Sequence, residues 1–426
     1  MTRVPGSWIR MPLGDALELL IDHRGQTPGK LGGSFSNAGV PVVSAIHIKK
    51  GRVDFEQRRR FVTAELAERW MPQRLRKEDV LLTSEAPLGS VALVPTDEPL
   101  VLSQRLFALR GREGTLENRF LYWALQAPQI ADQLRARSSG STVTGIRQSE
   151  LRQVTIRFPH VAEQRRIVDI LEDHLSRLDA ADGYLDAVSR RLRTFRAATL
   201  SGLTIATDPV ITLGSLATDS GYGTSTKCVP GGPGVAVVRI PNLRGGAIDL
   251  ADEKRAVDDE DLSRLMLQPG DLLVVRTNGS KDLIGRTAVV QPGIEAAFAS
   301  YLIRYRFNRA RVVPEWVHLM LDRPQARKCL EGLAASSAGQ YNLGLKKLDG
   351  VRIPVPAVDE QVRRIEAFGV AAQRATLLEA AAAESRQRSG AVRRGLLAAA
   401  FSGRLTDRAS GMNLAEGLAE REVAVP

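Results

Sequence analysis

The chain has 426 residues, of which 43% are hydrophobic, enough for two to four domains with buried cores. Its formal net charge of +11 favours a polyanionic partner, with DNA, RNA and an anionic membrane surface all in range. Two cysteines about a hundred residues apart exclude a disulfide framework and a zinc cluster, and no apolar run approaches the roughly 18 residues that span a bilayer.

The opening stretch MTRVPGSWIRMP lacks the apolar core of a secretion signal, so a cytoplasmic chain without membrane insertion is expected. Residues 1–160 read as a first α+β domain and hold most of the basic excess, with 23 Lys and Arg against 16 Asp and Glu. A polar loop, DHRGQTPGK at 22–30, offers Arg24, Gln26, Thr27 and Lys30. Backbone amides and short side chains of that kind can approach phosphates closely. VPVVSAIHI at 40–48 and the run DVLLT ending at Thr83 read as strands. The loop TSEAPLGS at 83–90 brings Ser84. NRFLYWALQAPQIADQLRA at 118–136 has helical spacing, and SSGSTVTGIRQSEL at 138–151 adds Arg147 and Gln148.

Residues 161–202 balance seven basic against seven acidic residues and contain no proline. Ile167, Leu171, His174, Leu178, Ala181, Leu185, Val188, Leu192, Phe195 and Thr199 recur in steps of four and three, which predicts the seam of a coiled coil. His174 reads as a polar residue that sets the register of that seam. At a rise of roughly 1.5 Å per residue the helix would run about 60 Å.

Residues 203–356 read as a second α+β domain. SGYGTSTK at 220–227 offers Tyr222, Thr224 and Lys227, and VAVVRIPNL at 235–243 and DLLVVRT ending at Thr277 read as strands. RTNGSKD at 276–282 sets Arg276, Asn278, Ser280 and Lys281 between two strands. Arg and Asn can each make two-point contacts with base edges in the major groove, although such loops also serve as plain tight turns. PEWVHLMLDRPQARKCLEGL at 314–333 is helical in spacing. SSAGQYNLGLKKLDG at 336–350 adds Tyr341, Asn342, Lys346 and Lys347. A second long helix follows over 357–405, with Phe368, Ala371, Ala375, Leu378, Ala382, Ser385, Ser389, Val392, Leu396 and Ala399 as its seam. Residues 406–426 form a tail expected to be flexible. The two apolar stripes are best buried against each other, antiparallel; packing on the globular domains or on a second copy is the alternative.

These elements are one pattern written twice. EDVLLTSEAPLGSVALVP at 78–95 answers GDLLVVRTNGSKDLIGRTAVVQP at 270–292, and FPHVAEQRRI answers VPAVDEQVRRI. Gly14 corresponds to Gly214, Gln164 to Gln361 and Ser201 to Ser402, an offset of about 200 residues throughout. A repeat of this size implies a pseudo-twofold arrangement. The loops are the least similar parts of the two copies, as expected of one scaffold reading two ligands, and also of ordinary drift. The acidic residues at each long-helix start suit the helix dipole, and the glycine of SGLT and SGRLT suits a C-cap.

No residues point to chemistry. The histidines His23, His47, His160, His174 and His318 have no metal-ligand spacing, and neither an amino-methyltransferase motif nor a P-loop occurs, so no catalytic and no metal-binding residues are assigned. A coiled-coil scaffold protein would explain the helices but not two copies of an α+β domain.

The duplicated P-x-x-E-Q-x-x-I followed by a long helix ending in A-x-x-S-G-x-L resembles the specificity subunits of type I restriction-modification systems. So do Trp8, Leu13-Gly14-Asp15 and Gly25-Gln26-Thr27-Pro28, across residues 7–407. Gly223-Thr224-Ser225-Thr226 departs from that pattern in lacking the proline. The resemblance implies two target-recognition domains, each binding half of a split double-stranded DNA site, with the long helices as spacer. It implies two methyltransferase subunits and restriction/translocase subunits as partners. S-adenosylmethionine, ATP and magnesium would then be used by those partners and not bound by this chain. The alternative is the same architecture in a modification-only or phage-defence system.

Overall fold

The computed structural model describes residues 8–23, 26–56, 58–140, 144–257, 262–337 and 339–406. The chain forms two compact units, one from residues up to Tyr184 together with those from Glu384 onward, the other from Leu185–Ala383. Both are mixed helix and strand. The first long helix, Val161–Gly202, begins in the first unit and ends in the second; the other, Val358–Ala400, does the reverse.

The central sheet of the first unit has four antiparallel strands in the order Leu17–Asp22, Leu106–Gly111, Val80–Thr83, Val91–Leu93. In the second unit the order is Ala217–Tyr222, Leu302–Phe307, Leu272–Val275, Thr287–Val289. Register repeats along with order. Phe107 stands between Leu82 and Asp22, and Ile303 between Val274 and Tyr222. Val80–Thr83 and Leu272–Val275 are buried along their whole length. Val80 and Leu82 face one apolar cluster and Leu81 another, so both faces of the sheet are covered, which is why these runs read as continuously apolar.

Each unit fixes its sheet with an ion pair to a buried aspartate. Arg110 grips Asp79 through Nε and Nη2 at 2.7 and 2.6 Å; Arg306 grips Asp271 at 2.9 and 3.2 Å. Glycine also repeats for a steric reason. A Cβ on Gly14 would lie 2.9 Å from the Arg152 Cβ, and one on Gly214 2.8 Å from the Asp349 Cβ.

Four expected elements are cut short by local chemistry. The strands expected over 40–48 and 235–243 stop at Val43 and Val238, and each chain turns into a 3-10 helix, Ala45–His47 or Ile240–Asn242. His47 Nδ1 accepts the Ser44 N–H at 3.0 Å, and Asn242 Oδ1 accepts the Arg239 N–H at 2.9 Å. The helical runs at 118–136 and 314–333 each break in two, at Pro128 and Pro324. Proline has no N–H to give and pushes the residue before it out of the helical region; Ala127 and Arg323 both have ψ near 141°.

The glutamine of the repeated E-Q motif clamps each long helix to its unit. Gln164 is fully buried. Its Nε2 donates to the carbonyls of Thr115 and Pro159 at 2.7 and 2.8 Å, and its Oε1 accepts the Glu117 N–H at 2.9 Å. Gln361 makes the same three bonds, to Arg311, Pro356 and Val313. Replacement Gln164→Leu leaves three backbone groups unpaired. At about 1–3 kcal/mol for each buried orphan, the first unit is expected to lose roughly 3 kcal/mol or more in urea unfolding. A loss below about 1 kcal/mol would show that the clamp is ornamental.

In each unit the two long helices run antiparallel. In the first, Arg393 pairs with Asp179 and Ser389 Oγ donates to Asp182 at 3.2 Å, so the sequence rises on one helix as it falls on the other. Ile167 and Leu171 are fully buried, Phe368 and Leu396 nearly so, and Leu178, Leu185, Val188, Leu192 and Val392 are half-buried. Four expected seam residues are not in the seam: Phe195 is 51% exposed and Leu378 54%, and Ala181 and Ser385 are exposed as well. A straight helix has 3.6 residues per turn, so a seam of strict 3.5-residue steps drifts. Leu175, at 2% exposure, takes the place expected for the half-buried His174. Ala375 and Ala382 are the buried pair on the second helix, and Leu378 stands to their flank. Of the two expected C-cap glycines, Gly403 follows its helix with φ +78°, whereas Gly202 is still helical.

Candidate nucleic-acid interface

In the second unit, polar side chains collect where the central sheet passes into a small three-stranded sheet, Thr277–Asn278, Gln340–Asn342 and Ala335–Ser337. Arg276 precedes that sheet. Its guanidinium stands 4.5 Å from the centre of the Tyr222 ring, with Nη1 donating to the Ser300 carbonyl at 3.2 Å and Nη2 to Asn342 Oδ1 at 3.1 Å. Lys281 lies 6.0 Å from the Tyr341 ring. Asn278 Oδ1 accepts the Ser280 N–H at 2.8 Å, and Ser280 Oγ donates to Asp282 at 2.7 Å. That hydroxyl, with a backbone amide, holds the Asp282 carboxyl below the usual carboxylate range.

Two grooves adjoin this cluster and share Arg239 and Tyr301. The larger, about 740 Å³, is lined by Arg244, Thr277, Asn278, Arg286 and Gln340 besides those two; the smaller, about 340 Å³, by Thr224, Thr226, Cys228 and Lys254. Neither lining contains a carboxylate. Arg239 bonds Asp252 from behind, and burial pushes the Tyr301 hydroxyl and the Cys228 thiol up, with Arg239 opposing both. Gly223 is required here, since a Cβ would meet the Phe298 carbonyl oxygen at 2.0 Å.

The first unit has the same backbone frame with other side chains. The Ser84 N–H donates to the Arg105 carbonyl at 2.9 Å as Arg276 does to Tyr301 at 3.0 Å, and Ile146 donates to the Ser84 carbonyl as Leu343 does to that of Arg276. Ser84 therefore stands where Arg276 stands, and Arg105 where Tyr301 stands. The Arg60 carbonyl accepts from Val42 as the Lys254 carbonyl accepts from Val237, so a cation occupies that place in both copies. Arg60 lies 4.8 Å from the Phe35 ring, beside a crevice of about 120 Å³ lined also by Ser44, Ile46, Arg58 and Ser103.

Residues 5–184 match the family described as type I restriction modification DNA specificity domain. Along nearly its whole length the chain is similar to two specificity subunits. It is 24% identical to the type I restriction enzyme EcoKI specificity subunit of Escherichia coli (strain K12), over 98% of this chain and 95% of that one. It is 23% identical to the StySPI subunit of Salmonella potsdam, over 90% and 88%. Residues 5–184 thus carry a type I restriction modification DNA specificity domain. Its fold is that of a chain solved in work on assembly and conformational transition of the type I R-M system, with a TM-score of 0.72 at 19% identity over 94% of this chain and 98% of that one. The HsdS subunit of Thermoanaerobacter tengcongensis gives 0.50 at 18% identity over the same shares.

Within this frame the sequence candidates sort unevenly. In the second unit Tyr222, Arg276, Asn278, Tyr341 and Asn342 come together, with Thr224 joined through Ser300 and Lys281 at the edge. Ser280 holds Asp282, and Lys227 is exposed beside the smaller groove. Lys346 and Lys347 lie on a short helix, Leu345–Asp349, rather than in a loop, and Lys347 Nζ donates to the Leu333 carbonyl. In the first unit Gln26, Thr27 and Lys30 lie at a 3-10 turn, where the Gln26 carbonyl accepts from Gln104. Arg147 is exposed and Gln148 begins the helix Gln148–Arg152. Arg24 lies outside the described residues.

Ser84 is a correction. At 2% exposure it is covered by the segment carrying Ile146 and has no face to offer a ligand. Sequence reasoning missed Arg58, Arg60, Arg105, Arg239, Lys254, Arg286 and Tyr301. The run Arg58–Arg60 was a visible signal; the rest flank strands and become neighbours only through the fold. Among the described residues no group of three or more His, Cys, Asp or Glu is placed to hold a metal ion, and no helix is long and apolar enough to cross a membrane.

Proposed function

We propose that this chain recognises a bipartite double-stranded DNA site, one half per unit, and performs no chemistry itself. The observation that carries the reading is a frame kept and a rim changed. Strand order, register, ion pair and glutamine clamp are the same in both units, while Ser84 answers Arg276, Ser44 answers Arg239 and Asp22 answers Tyr222. Basic, carboxylate-free grooves suit phosphates, and forked donors suit base edges. Methyl transfer from S-adenosylmethionine to adenine, and ATP- and magnesium-dependent translocation and cleavage, belong on this reading to two methyltransferase subunits and to restriction subunits that the chain holds in place.

The test is replacement of residues 15–150 by the equivalent segment of a relative, with methylated adenines mapped across the host genome. One half of the modified site is expected to change and the other to persist. A change in both halves would break the assignment of one unit to one half-site. Affinity for the site should also fall steeply with salt, as phosphate contacts require.

A further inference from the structure

We propose that the second unit reads a guanine, with Arg276 as the reading residue, because the charged side chains on its rim are all hydrogen-bond donors. This rests on the DNA-recognition reading above. The guanidinium of Arg276 is held on three sides, by the Tyr222 ring, the Ser300 carbonyl and Asn342 Oδ1. Those bonds use one hydrogen on each terminal nitrogen, and each nitrogen carries a second. A fork so anchored loses little freedom on binding.

The two asparagines beside it are turned the same way. Asn342 Oδ1 accepts from Arg276 and, at 3.4 Å, from Thr277 Oγ1, and Asn278 Oδ1 accepts the Ser280 N–H. The Asn342 carbonyl is filled by two donors and that of Asn278 is engaged by one, which turns the amide nitrogens toward a ligand. Arg239, Arg244 and Arg286 in the adjoining groove can only donate. The hydroxyl of Tyr301 and the amide of Gln340 can take either part and so do not discriminate, and the Thr277 hydroxyl, its one hydrogen turned to Asn342, is the single acceptor among them. The carboxylate in this loop, Asp282, is not in the groove lining and accepts the Ser280 hydroxyl.

A base edge that suits such a rim presents acceptors and no amino group. In the major groove guanine offers N7 and O6, whereas adenine and cytosine each place an amino donor there and thymine offers one acceptor beside a methyl group. The first unit lacks the arrangement: Ser84 is buried at the place of Arg276, and Gly145 bridges Glu85 and Ser139 where Asn342 pairs with Thr277 and Ala335. The guanine therefore belongs to the half-site read by the second unit.

The experiment selects duplexes from a randomised double-stranded library with the full chain and with its Arg276→Ala variant. The native chain should yield a bipartite consensus with guanine at one position of one half. The variant should lose that preference by roughly ten- to a hundred-fold while the rest of the consensus stands. In the selected duplex, replacing that guanine with 7-deazaguanine removes only the N7 acceptor; it should weaken the native chain about ten-fold and leave the variant unaffected. That arm does not depend on the variant folding. A guanine preference that survives in the variant, or a silent 7-deazaguanine in the native chain, would overturn the assignment. Failure to obtain any bipartite consensus would instead overturn the DNA-recognition reading itself.

Discussion

Adding one heptad to both long helices, after Asp182 in the first and before Ser389 in the second, is expected to widen the gap between the half-sites by about three base pairs. Asp182 and Ser389 face each other at one level of the antiparallel pair, so matched insertions preserve the register on both sides of the cut. Seven residues at about 1.5 Å each lengthen a helix by about 10 Å, and DNA rises about 3.4 Å per base pair. Genome-wide mapping of methylated adenines reads the gap directly. A gap that stays the same with both insertions in place would remove the helices from any role in spacing. An insertion in one helix alone should instead abolish modification, because the helix pair then keeps its register on one side of the cut and loses it on the other.

The replacement Arg110→Met is expected to cost the first unit about 3–5 kcal/mol, the usual price of leaving a buried charge unpaired. Asp79 has no exposed surface. Besides Arg110 it accepts the Arg76 N–H at 2.7 Å and, weakly, Asn118 Nδ2 at 3.5 Å. The pair also raises the pKa of the Arg110 guanidinium through its hydrogen bonds to Asp79, so the arginine stays charged at any pH the fold survives. Against a typical total of about 5–15 kcal/mol, such a loss should bring the first unit close to unfolding at room temperature. Urea unfolding followed by far-ultraviolet circular dichroism measures it. The double variant Asp79→Asn, Arg110→Met removes the stranded charge and should recover a good part of the loss. If it is as unstable as Arg110→Met alone, desolvation of the carboxylate is not the cause. The corresponding change at Arg306 should cost less, since that side chain is 25% exposed against 10% for Arg110.

Periodicity and repetition were enough to read much of the fold. The offset linking Gly14 to Gly214 and Gln164 to Gln361 announces one scaffold used twice, and proline-free heptads announce the two long helices. What each repeated residue does was not readable, because it acts across the chain. Gln164 looks like a helix-start residue and proves to be a clamp on Thr115 and Glu117. Arg110 lies in an apolar run and proves to be the partner of Asp79. The seam was read one residue out at His174 because a 3.5-residue template cannot follow a helix of 3.6 residues per turn.

Sequence alone determined the duplication, the order of strands and helices, and the resemblance to specificity subunits, since all of these are patterns along one dimension. Tertiary structure decided which polar residues share a rim. Arg276, Tyr222 and Asn342 are separated by more than fifty residues from one another and meet only because two strands and the link between two others deliver them to one edge. It also decided that Ser84, in the same frame, is closed off. A hydrogen bond reaches about 3 Å, and distance at that scale is set by packing, not by spacing in the chain.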